Sequence, residues 1–217
     1  MFFKYFSRLT NTLYFITLLY IFSAIFTPIR VYANLVNAVF INEIHYDNTG
    51  RDSGEYVEIA GDVNIDLTGW SLRLYTGSNG KEYNSFNFGS WSYIDTSTQF
   101  DIYTIETPGI QNGSSDGIAL FDGTDIIQFL SYEGNLTATD GFAKGFTSTD
   151  IGVSESAGTA VGHSLQLTGK GSHYSDFTWS SAQENTFGAM NTGQQLMIPV
   201  SEPSSLSLFF MLLIFLH

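Results

Sequence analysis

The densest set of chemically capable side chains is Glu43, His45, Asp47, Asn48, Asp52, Glu55 and Glu58, all within one short stretch of chain. Oxygen donors at this density suit a hard cation, and Asp47, Asp52 and Glu55 are the candidate ligands for calcium. The spacing departs from the EF-hand loop, whose ligands alternate around a fixed Gly. The competing reading is a solvated hairpin loop in which Asp and Asn side chains cap turns. A carboxylate pair such as Glu55 and Glu58 is also the equipment of acid–base catalysis. Acidic side chains on an exposed strand face give the same pattern without any chemistry.

Other reaction types find less support. The chain has no Cys, which excludes thiol catalysis and thiolate metal sites. His45, His163 and His173 are mutually distant in sequence, and nothing in their spacing suggests a shared zinc ion. There is no Gly-x-Ser-x-Gly nucleophile elbow. Gly169-Lys170-Gly171 is too short for a phosphate loop and reads as a turn. The expectation is therefore a chain that is not an enzyme and needs no cofactor, calcium being the one ion considered. Aromatic residues make up 16% of the chain. Tyr75, Tyr83, Trp91, Tyr93 and Tyr103 are candidates for stacking on sugar rings, because a Tyr offers an apolar face and a hydroxyl together. The same residues would serve equally as core or edge fillers.

These side chains need strands to position them. Short β-type runs alternate with Gly, Asn and Asp clusters, the pattern of an all-β sandwich or barrel. The expected strands are 38–45, 55–60, 69–75, 81–88, 99–105, 117–121, 125–132, 160–167 and 176–180. Period-two patterning places Trp70, Leu72 and Leu74 on one face and Ser71, Arg73 and Tyr75 on the other. Phe121-Asp-Gly-Thr-Asp-Ile126 reads as a hairpin, with Gly123 supplying a positive φ. Residues 137–158 are rich in Gly, Ser and Thr and read as a long loop. One domain is expected over residues 34–197, large enough to bury a core without disulfides.

Both ends read as targeting signals. Lys4 and Arg8 precede an apolar stretch from Leu13 to Phe26, and Val31-Tyr32-Ala33 offers small residues for a signal peptidase. Residues 1–33 are expected to be a secretory signal, cleaved between Ala33 and Asn34; an uncleaved membrane anchor is the alternative. All 21 acidic residues follow Ala33, so the processed chain has a net charge of −16 against −13 for the whole. No basic stripe is present to neutralise phosphates, which argues against nucleic-acid binding. Residues 198–217 combine the polar motif Ser201-Glu202-Pro203 with an apolar run from Leu206 to Leu216. That tail resembles the PEP-CTERM sorting signal of exopolysaccharide-producing bacteria, which an exosortase recognises and removes at the envelope. Ser201 stands where that signal has its first Pro, and its terminal basic cluster is missing. Membrane contact is expected only through these end segments before processing.

The middle carries a second resemblance. Residues 39–59 (VFINEIHYDNTGRDSGEYVEI), 66–72 (DLTGWSL), 110–120 (IQNGSSDGIAL) and 128–133 (QFLSYE) resemble successive blocks of the lamin-tail domain family. The likeness continues through 148–152, 164–167 and 187–194 (FGAMNTGQ). It implies an immunoglobulin-like β-sandwich, here flanked by an N-terminal signal helix and a C-terminal apolar helix. Bacterial members of that subtype often precede extracellular nucleases. The expectation is an exported, non-catalytic binding or structural module at a bacterial surface or in its extracellular matrix, with exopolysaccharide or a surface protein as partner. Two alternatives are an accessory subunit of a secreted hydrolase such as a nuclease, and a metal-dependent enzyme with an unrecognised site.

Overall fold

Residues 39–63, 65–88, 93–95 and 100–197 are described by the computed structural model, with backbone alone for 93–95. The expected cleavage site at Ala33 and Asn34, the sorting motif at Ser201, Glu202 and Pro203, both flanking helices and Trp91 lie outside the described residues. The protein is all-β there, with two sheets and a single turn of 3₁₀ helix (Tyr174–Asp176).

The first sheet contains β1 (Phe40–His45), β2 (Tyr56–Asp62), β5 (Tyr93–Asp95), β6 (Phe100–Glu106), β10 (His163–Gly171), β11 (Phe177–Glu184) and β12 (Gln194–Leu196). They are ordered β11-β10-β1-β2-β6-β5, and β12 adds in parallel to the end of β10. The second sheet contains β3 (Ser71–Tyr75), β4 (Glu82–Asn87), β7 (Gly117–Phe121), β8 (Ile126–Ser131) and β9 (Thr149–Asp150), ordered β4-β3-β7-β8-β9. All the expected strands form, with ends shifted by a few residues. The additional strands β5, β9 and β12 have only two or three residues each, too short for alternation to be visible.

The alternation decides which side chains meet. Ile41, Ile44, Val57, Ile59, Leu165 and Leu167 of the first sheet pack against Leu72, Leu74, Ile118, Leu120 and Leu130 of the second in one core. Trp70 is partly buried against that core, as its period with Leu72 and Leu74 predicts. The hairpin joining β7 to β8 forms as expected, with Gly123 at φ +98° and the Asp122 carboxylate accepting the N–H groups of Thr124 and Asp125.

The outer face of the second sheet is covered as well. Tyr75, expected to face away from the core, is fully buried in a second apolar cluster with Ala119, Phe129, Leu136, Ala138 and Ala143. Leu136 lies just before the segment anticipated as a loop, and Ala138 and Ala143 lie within it. It is a packed lid, closed by a Thr137–Thr147 bridge and by the Ala143 N–H donating to the Tyr75 hydroxyl at 3.0 Å. Its small apolar residues are sparse and follow no strand or helix period, so composition alone showed only its loop character.

Leu74→Ala removes a fully buried side chain facing both sheets and is expected to cost about 2–5 kcal/mol in chemical denaturation. Val161→Ser, at an exposed position, is expected to change stability by less than about 0.5 kcal/mol.

Candidate functional site

A β-bulge sets the chemistry of the first sheet. Ile41 pairs with Ile59 and Glu43 with Glu58, so Asn42 is an extra residue in β1. Strict alternation would put Glu43 on the face of Ile41, inside the apolar core. The bulge turns it to the outer face, while Ile41 and Ile44 both reach the core. The Ile41 N–H crosses to the second sheet and donates to Gln128 Oε1 at 2.8 Å.

Glu43 and Glu58 thus stand directly opposite one another, and neither has exposed surface. The segment from Asn185 to Gly193 crosses over them. Thr186 donates its N–H to Glu43 Oε1 (2.9 Å), and Gly188 donates its N–H to Glu58 Oε2 (2.7 Å). Glu43 also accepts from the Ser164 hydroxyl, Gln166 Nε2 and the Thr186 hydroxyl. Glu58 accepts from Asn42 Nδ2 at 2.9 Å. Asn191 fastens the segment further, donating from Nδ2 to the carbonyls of Asn42 and Leu167. Burial raises the pKa of both carboxyls; for Glu58 the charge of Glu43 raises it further, and for Glu43 the hydrogen bonds partly counter it. With more donors, Glu43 is the better placed of the two to carry negative charge.

A second buried pair lies farther along β1. His45 Nδ1 is 2.9 Å from Glu155 Oε1, while Nε2 is 3.3 Å from Asn48 Oδ1 and 3.2 Å from the Ser53 carbonyl. Both ring nitrogens face acceptors, so the protonated ring satisfies all of them. Burial alone would lower the His45 pKa, but the hydrogen bond and charge of Glu155, with Ser53 and Asn48, bring it above its ordinary value. Glu155 Oε2 also accepts the N–H groups of Tyr46 (2.6 Å) and Asp47 (2.9 Å). With both nitrogens engaged, His45 is not free to serve as a general base in this arrangement.

The candidate calcium ligands separate into two places. Asp47 and Asp52 come together with Asn112, whose Nδ2 donates to Asp52 Oδ2 at 3.2 Å. Burial, and then the Asp52 carboxylate beside it, push the Asp47 pKa up. Glu55 is directed elsewhere and accepts the Gly109 N–H at 2.7 Å. Glu55 and Glu58 therefore face different partners and do not form an acid–base pair. His163 sits in β10 opposite Glu184, and His173 lies 3.7 Å from Asp176 at the 3₁₀ turn. Among the described residues, no three His, Asp or Glu side chains form a group that could hold a metal ion.

An open cleft of about 570 Å³ lies on the outer face of the first sheet. Its lining includes His45, Tyr56, Thr104, Glu106, Val161 and Phe187. The Tyr56 and Phe187 rings are 5.0 Å apart at 37°, and the Tyr56 hydroxyl donates to Glu106 Oε1 at 3.1 Å. Such a cleft offers aromatic faces for stacking and a carboxylate that accepts hydrogen bonds from hydroxyl groups. It does not use the aromatics expected from sequence. Tyr75 is buried, the Tyr83 hydroxyl accepts the Gln111 N–H, the Tyr103 hydroxyl donates to Asp101, and the Tyr93 side chain lies outside the described residues.

Comparison with known proteins found no matching family model, curated protein or solved structure.

Sequence reasoning missed Glu155 and Phe187. Glu155 lies 110 residues from His45, and no local pattern joins them. Glu155→Gln is expected to destabilise by about 3–5 kcal/mol, because it leaves a buried His45 without its counter-charge. His45 has a raised folded pKa, so its stabilisation is complete below its ordinary 6.5 and is lost as pH rises through the folded value. Thermal melts across that interval are expected to show this loss in the parent chain and a smaller one in Glu155→Gln.

Proposed function

We propose that the protein is an exported, non-catalytic module that binds polysaccharide at a bacterial surface or in its extracellular matrix. The observation that carries this reading is the cleft on the first sheet, where Tyr56 and Phe187 present rings beside the Glu106 carboxylate. An aromatic face stacks on the C–H face of a sugar, and a carboxylate accepts from its hydroxyls. The net charge of −13 favours a neutral ligand or one bridged by cations over an anionic polymer bound directly.

In this reading the β-sandwich is of the immunoglobulin-like, lamin-tail type, supported by the blocks at 39–59, 66–72 and 110–120. Residues 1–33 direct export with cleavage after Ala33, and residues 198–217 form a PEP-CTERM-like tail for an exosortase.

The test is co-sedimentation of the purified chain with the producer's own exopolysaccharide, with and without EDTA. Binding that survives EDTA and falls by about tenfold or more in Tyr56→Ala and Phe187→Ala supports the cleft. Binding abolished by EDTA moves the site to Asp47 and Asp52 and their cation. Absence of binding in both conditions rejects the polysaccharide reading and favours a protein partner, with a secreted hydrolase the first to try.

A further inference from the structure

The segment that covers Glu43 and Glu58 also builds one wall of the cleft. Phe187 lies between the two residues whose N–H groups are held by the carboxylates, Thr186 on Glu43 and Gly188 on Glu58. Asn185, another lining residue, donates from Nδ2 to the Gly162 carbonyl. The Phe187 ring is thus placed by the residues on either side of it, both tied to a buried carboxylate pair.

We propose that Glu43 and Glu58 are positioning residues that clamp the Phe187 wall of the cleft, and that ionisation of both carboxyls releases it. This rests on the reading of the cleft as the binding site.

The physical argument is the number of charges a closed, buried site can hold. With one proton between them, the pair carries one charge, and the donors of Ser164, Gln166, Thr186, Asn42 and Gly188 satisfy it. Loss of that proton places two like charges on directly opposed residues away from water. Among the described residues, no Lys or Arg acts on either carboxyl. On β1 the neighbouring outward titratable group is His45, engaged by Glu155; on β2 it is Tyr56. On β6, Thr104 stands opposite Glu58 and Glu106 opposite Tyr56. On β10 the facing groups are Ser164 and Gln166, with His163 at the strand end; on β11, Glu184 contributes its carbonyl to Gln166. The covering segment brings Thr186 and Asn191, and β12 brings Gln194, whose amide reaches Asn42. Relief of two charges therefore requires water, and the covering segment is what stands between the pair and solvent. Both folded pKa values are raised, so the stability the pair contributes is present below the ordinary value near 4.5 and is lost as pH rises through the folded values.

The test needs no ligand. In the purified chain, the side-chain carboxyl carbons of Glu43 and Glu58 are titrated by NMR, and amide-exchange protection is followed at Thr186 and Gly188. The expected result is two separated steps, the second above the usual carboxylate range. Across it, protection at Thr186 and Gly188 falls by about tenfold or more while that of Val57 and Ile59 in β2 holds. Glu58→Gln removes one titrating group, and the fall is expected to disappear. Titration of both carboxyls in one step at the ordinary value overturns the proposal, as does a flat protection profile or an equal fall in Glu58→Gln. Should that variant fail to fold, the parent comparison of Thr186 and Gly188 against Val57 and Ile59 decides alone. Polysaccharide co-sedimentation at the same pH values separates the two ideas. A protection change without any binding upholds the clamp and rejects the polysaccharide reading. Binding at the cleft that is equal on both sides of the transition overturns control of the cleft by the pair.

Discussion

A carboxylate removed from water must be met by donors, and that constraint organises the first sheet. The bulge at Asn42 keeps Glu43 out of the apolar core but places it opposite Glu58, on a face that is itself covered. Satisfying both acids takes side chains from β1 and β10 and backbone amides from the segment after β11. That segment has a polar reason for its path. Its N–H groups at 186 and 188 point at the sheet because the acceptors they need are there. Packing alone would not choose those two amides, since the residues that carry them are a Thr and a Gly.

The two sheets meet the same problem by different means. The outer face of the second sheet is closed largely by apolar contact, with Leu136, Ala138 and Ala143 over Ala119 and Phe129, and with polar links from the Ala143 N–H to the Tyr75 hydroxyl, the Glu82 N–H to Asp140 and the Ser148 hydroxyl to Ser131. The outer face of the first is closed by hydrogen bonds to acids. Apolar contact tolerates small shifts, whereas a hydrogen bond to a buried charge weakens quickly as its geometry departs from the optimum. The edge of the cleft is therefore set by directional bonds, which suits a wall that must hold an aromatic ring at a defined angle.

The strands were legible because alternation acts within a few residues. Leu72 and Leu74, Val57 and Ile59, and Leu165 and Leu167 each announce a buried face. The 137–158 segment was legible as irregular but not as a lid, because Ala138 and Ala143, with Leu136 just before them, gain meaning only once Tyr75 and Phe129 lie beneath them. The acidic stretch converges only in part. Asp47 and Asp52 do approach one another, yet Glu55 turns to Gly109. Glu43, and Glu58, which was paired with Glu55 as a candidate acid–base couple, are fully buried opposite one another; a one-residue bulge moves a side chain across a sheet and leaves no signature in composition. Glu155 and Phe187 could not be found from spacing, because their partners are far away in the chain.

The covering segment also bears on the order in which the molecule can be completed. Thr186 is 143 residues from Glu43, Gly188 is 130 from Glu58, and Gln194 is 152 from Asn42. A chain emerging from its N-terminus exposes β1 and β2 early, and their pairing alone would set two acids side by side with most of their donors still unmade. Water solvates them until the last tenth of the domain arrives, so an early, closed form of this sheet is disfavoured. Long-range closure of this kind is slow. Here it means that the outer face of the first sheet closes only once residues 186–194 have joined it.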